Sequence, residues 1–114
     1  MSQTMQTTEP VFDQQALDRH TMGNASLQRE LFILFFDQMP VYLDQMDDAI
    51  SSNDTESWRM AAHGIKGSSR ALGFTRLAAL SRDCENSSPD RDQMKALRDA
   101  IKESEACISM AEAS

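Results

Sequence analysis

Aromatic residues make up only 6% of this 114-residue chain, and nowhere do apolar and polar positions alternate long enough to mark a half-buried strand. That argues against a sheet domain. Nor is there a stretch approaching the roughly 18 consecutive apolar residues needed to span a bilayer. The opening MSQTMQTTEP lacks a basic start leading into an apolar run, so it has the marks of neither a signal peptide nor a membrane anchor. A cytoplasmic protein is expected, and Met1 with its polar leader favours a free-standing chain over a module cut from a larger one. Basic residues are scarce: 11 Lys and Arg against 18 Asp and Glu leave a net charge of -7. This excess of negative charge argues against a general binder of nucleic acid or of anionic membranes. Cys84 and Cys107 are the only cysteines, lack metal-ligand spacing and fall within helical patterns, where a reduced structural thiol is the ordinary occupant. His20 and His63 are the only histidines, and no Glu-x-x-His pair occurs, which leaves a metal-binding bundle as a weak alternative.

What the sequence does contain is helical periodicity. Residues 1–10 form a polar leader, expected to be flexible, that closes on Pro10; residues 11–114 are expected to form one domain. VFDQQALDRH, from Val11 to about His20, predicts a short helix docked through Val11, Phe12, Ala16 and Leu17. A long helix follows from Leu27 to Ile50, capped by Asn24 or Ser26, with Pro40 predicted to bend it near Phe36 rather than end it. A further segment, DTESWRMAAHGIKGSSRALGF, has Asn53 or Asp54 as its cap and Gly73 as its left-handed stop. Another helix is expected from Thr75 to Asn86. In the last, to about Glu112, Ser88 is the predicted cap, with Pro89 and Asp90 in the first turn. The fold class is all-α: an antiparallel four-helix bundle with a short additional N-terminal helix.

The stretch AAHGIKGSSRALGF carries the chemistry. Two interior glycines, Gly64 and Gly67, each cost a helix about 0.8–1 kcal/mol against alanine, which calls for a compensating role. At 100° per residue, Trp58, Ala61, Ile65, Ser69 and Leu72 fall within about 40° of one direction and form the core stripe. His63 lies about 160° from Ile65, accompanied by Gly67, Arg70 and Lys66 within about 60°. The histidine therefore faces solvent or a partner. A missing side chain at Gly67, one turn on, clears space beside the ring, and Lys66 brings an ammonium to the same side. Imidazoles exchange their proton near neutrality and are nucleophilic at a free ring nitrogen, which suits phosphoryl transfer. Spacing alone leaves a plain solvated face as the rival reading; the glycines favour function. Ser68 and Ser69 have no base at a suitable offset and read as packing residues.

The same stretch resembles the signature of histidine-containing phosphotransfer domains: Ala-His, two residues, Lys-Gly-Ser, a short spacer, then Leu-Gly. Ala62, His63, Lys66, Gly67, Ser68, Leu72 and Gly73 match it. FFDQMPVYLDQMDDAI and LAALSRDCE resemble the flanking helices of that family. The resemblance implies that His63 accepts the phosphoryl group, usually on Nε2, that Lys66 stabilises it and that Gly67 leaves access for a partner. Gly64 and Arg70 fall where the family varies, and Gln38 is expected to project toward the histidine face from the preceding helix. The implied partners are response-regulator receiver domains, which supply Mg²⁺, and a hybrid sensor histidine kinase. No cofactor of its own is expected, nor any nucleotide site, since no phosphate-cradling glycine loop occurs. The expected protein is a monomeric phosphocarrier and not an enzyme acting on ATP. The alternative is a non-catalytic bundle that only docks such partners, against which the presence of both His63 and Lys66 argues.

Overall fold

A computed structural model describes residues 8–113 of the protein. The described residues form five helices: α1 (Gln14–Thr21), α2 (Ala25–Ser52), α3 (Thr55–Leu72), α4 (Thr75–Glu85) and α5 (Arg91–Ala113). α2, α3, α4 and α5 pack in sequence around one core, α5 closing the ring against α2, while α1 lies across α2 and α3. This is the expected all-α bundle. The 28 residues of α2 would measure about 42 Å at 1.5 Å per residue. The molecule is 41 Å long, so α2 spans it end to end, running unbroken through Pro40.

Helix ends follow local chemistry. Asn24 accepts the amide of Leu27 at 3.0 Å and Asp54 that of Ser57 at 3.1 Å, so these two, rather than Ser26 and Asn53, are the caps. Asn53 instead ends α2 in the left-handed conformation. Two predicted starts are corrected. α1 begins after Asp13, not at Val11, because the Asp13 amide donates to Gly73 O at 2.7 Å and holds the preceding residues against the α3–α4 turn. Ser88 is not the cap of α5, and Pro89 and Asp90 lie before its first turn rather than in it: the helix begins at Arg91, the Gln93 amide meets the Asp90 carboxylate at 2.8 Å and the Met94 amide the Asp90 carbonyl at 3.0 Å. α4 has no side-chain cap. Its start is satisfied from afar, since Pro10 O accepts the Arg76 amide (2.9 Å) and the Thr75 hydroxyl (2.7 Å), and Glu9 O accepts Arg76 Nε (3.0 Å). The last two residues of the expected leader are thus hydrogen-bonded to the bundle, whereas residues 1–7 lie outside those described.

The core holds α3 at both ends. Trp58 is fully buried and donates Nε1–H to Cys84 O at 2.8 Å, tying the start of α3 to the end of α4. Burial pushes the Cys84 thiol up to about 12, so it stays protonated. Phe74, also fully buried, sits among Phe12, Phe32, Phe35 and Phe36 with ring centroids 4.9–5.7 Å away. Such pairs add about 0.5–1.5 kcal/mol each beyond area burial. The expected stripe of Trp58, Ala61, Ile65, Ser69 and Leu72 is buried throughout.

Gly73 joins the two sides of this arrangement. Its φ of +86° ends α3, and a Cβ there would collide with Asp13 O. Gly73→Ala is therefore expected to lower stability by at least about 1 kcal/mol, the strain of a left-handed alanine alone. Urea denaturation measures it, and wild-type stability in the variant would refute this account of the turn.

Candidate functional site

Midway along α3, between those anchors, His63 projects with 67% of its side chain exposed. Its neighbour Ala62 is buried. Opposite it, α4 ends in Cys84, buried in the core, and Glu85, whose side chain turns to α3 and is 15% exposed. Glu85 Oε2 lies 2.7 Å from His63 Nδ1, and Glu85 Oε1 accepts from Lys66 Nζ at 2.6 Å. One carboxylate thus bridges the imidazole and the ammonium.

The electrostatics of this bridge set the chemistry of the ring. A carboxylate in the last turn of a helix opposes the helix dipole, so Glu85 does not serve α4 itself. Lys66 first, then His63, hold its carboxyl below the usual carboxylate range by hydrogen bonding, against a smaller opposing effect of desolvation. An ionised carboxylate only accepts, so the proton of the His63–Glu85 bond resides on Nδ1. In the neutral ring the free lone pair is then on Nε2, on the exposed side.

The two glycines differ in purpose. A Cβ on Gly67 would meet nothing within 4 Å. A Cβ on Gly64 would lie 2.6–2.8 Å from Cε1, Cζ and Oη of Tyr42, so this glycine admits the Tyr42 ring between α2 and α3. Gly67 alone is open toward solvent beside His63. Gln38 is exposed and forms no hydrogen bond among the described residues. It lies one turn before Tyr42, which in an antiparallel pair is near the level of Gly67. Arg70 is exposed further along the His63 face and has no ion pair among the described residues.

Sequence reasoning brought His63 and Lys66 together but missed Glu85, which joins them. The one available signal was an acidic residue at the C-terminal end of a predicted helix, where the dipole disfavours it. His20 stands apart on α1, exposed, with Nδ1 3.1 Å from Ala16 O.

An exposed imidazole held at Nδ1, an adjacent ammonium and an open approach, carried on a helical bundle, make a site that faces solvent rather than an enclosed pocket. A family model, the Hpt domain, matches residues 30–110, which include α3, α4 and every residue of the bridge. The chain belongs to the Hpt domain family, whose members are phosphocarriers in phosphorelay signalling. No curated protein matches it. Among the described residues, no helix is long and apolar enough to cross a membrane.

Proposed function

We propose that His63 is the phosphoryl carrier of a multistep relay, exchanging the group between receiver-domain aspartates, with a hybrid sensor histidine kinase upstream. The observation that carries this reading is the Nδ1 contact with Glu85, which leaves Nε2 as the exposed nucleophile. In the forward step the Nε2 lone pair forms the N–P bond. The P–O bond to the partner's aspartate breaks, and its electrons leave with the aspartate carboxylate. Nδ1 keeps its proton, and Glu85 offsets the positive charge developing on the ring. Lys66 orients Glu85 beforehand and has donors left for a phosphoryl oxygen. The receiver brings the Mg²⁺, and this chain contributes position and charge.

A pure docking module would not need a fixed tautomer, and this favours transfer over docking alone. Exposed apolar side chains on α3 and α2 supply the surface a receiver covers: Met60 one turn before Gly64, and Val41 beside Tyr42. In this role the protein would work as a monomer in the cytoplasm.

Incubation with a panel of phosphorylated receivers tests it. Acid-labile label should appear on this chain and then move to a second, unlabelled receiver. Tight binding without label would make the protein a docking module.

Glu85 provides a second check. Glu85→Ala is expected to slow transfer by about 10–100-fold, as loss of an orienting partner typically does, and Glu85→Gln by less, because its amide oxygen still accepts from Nδ1. Stability should respond in one direction only. Since the folded-state pKa of Glu85 lies below the ordinary value of 4.5, its contribution is complete above that value and is lost as pH falls through the depressed one. The stability gap between wild type and Glu85→Gln should therefore close in acid. A gap that widens there in thermal melts would contradict the bridge.

A further inference from the structure

Beyond His63 and Glu85, the groove between α3 and α4 continues toward the α3–α4 turn and opens into a cleft of about 190 Å³. Ala78 and Ala79 line it with small side chains, Arg70 of α3 and Arg82 of α4 add two guanidinium groups, and Thr75 and Glu9 border it as well. Arg70 is seven residues from His63, two turns along the same helical face, or about 10 Å. Arg82 is one turn from Glu85. The cleft therefore belongs to the face that a partner must cover to reach the imidazole.

Its charge runs against that of the molecule. The chain carries a net charge of -7, and several other cations are closely paired: Arg59 with Glu56 at 2.7 Å, Lys66 with Glu85 at 2.6 Å and Lys95 with Asp99 at 3.0 Å. Arg82 has only Asp83, at 3.9 Å, and is 58% exposed, while Arg70 has no ion pair among the described residues. Against these two guanidinium groups the lining of the cleft sets one carboxylate residue, Glu9, so the lining keeps a net positive charge. Guanidinium matches carboxylate in a planar, bidentate manner.

Resting on the reading of His63 as the carrier, we propose that this cleft receives carboxylate side chains from the rim around the phospho-aspartate of the receiver partner. It would thereby select receivers with an acidic rim. An acidic protein approaching an acidic partner is repelled at long range; a local cationic pair on the face that carries His63 reverses that where the partner docks. Because the arginines are exposed, the contact acts mainly on association rate and weakens with salt.

The test uses the whole chain and two receiver domains, one with an acidic rim around its aspartate and one with a basic rim. Arg70→Glu/Arg82→Glu should lower association and transfer with the acidic receiver by about tenfold at low ionic strength, and should raise both with the basic one. Arg70→Gln/Arg82→Gln should give smaller changes of the same sign. The deficit should shrink in high salt, and labelling of His63 by phosphoramidate, which needs no docking surface, should be unchanged. Association rates within about twofold of wild type for both receivers would overturn the inference. So would an equal loss with phosphoramidate, which would place the effect at the imidazole. Titration of unphosphorylated receivers separates the two readings: charge-dependent binding without any phosphoryl transfer would uphold the cleft and reject His63 as carrier.

Discussion

His63→Gln is expected to abolish uptake of acid-labile phosphoryl label from every phosphorylated receiver while leaving the fold intact. The side chain is 67% exposed and contributes nothing to the core, so unfolding free energy should change by no more than about 0.5–1 kcal/mol. Glu85 keeps Lys66 at 2.6 Å, so the variant leaves no uncompensated carboxylate. Circular dichroism melts and a labelling assay on the same preparation check both halves. Label at the wild-type level would remove His63 from the mechanism, and a large loss of stability would make it a structural residue.

The second large effect is at Gly67, where stability and activity should move in opposite directions. A Cβ there meets nothing within 4 Å and the site is regular helix, so Gly67→Ala should stabilise the protein by up to about 1 kcal/mol. Gly67→Gln should keep much of that gain and yet place a side chain over the ring one turn away. The partner's phosphorus must come within bonding distance of Nε2, and a displacement of about 1 Å costs on the order of 10²-fold in rate. Normal transfer by Gly67→Gln would show that the glycine does not serve access. Gly64 makes the contrast, because its Cβ would lie 2.6 Å from Tyr42 Cε1, and alanine there should gain nothing.

The inward and outward faces of α3 were legible because Trp58, Ala61, Ile65, Ser69 and Leu72 recur at helical spacing, and all five are buried. The same rule failed at Val11 and Phe12, which have helical spacing but lie before α1. Their conformation is set by hydrogen bonds to Gly73 and to the start of α4, some sixty residues away. Glu85 was illegible for a related reason. Its contact with His63 crosses 22 positions in sequence and depends on the register of α4 against α3, which no local pattern encodes. Helical direction already set Gly64, beside the polar face and suited to close helix packing, apart from Gly67, and the Tyr42 ring is the neighbour that Gly64 admits.

In the proposed transfer one nitrogen, Nε2 of His63, carries the phosphoryl group. Nitrogen-15 and phosphorus NMR of the histidine-labelled protein, phosphorylated by a receiver domain, reads it directly, with the exposed His20 as an internal control. The expected spectrum shows phosphorus coupled to Nε2 of His63, a proton retained on Nδ1 and no change at His20. Phosphorus on Nδ1 of His63, where Glu85 sits, or on His20, would contradict the central claim.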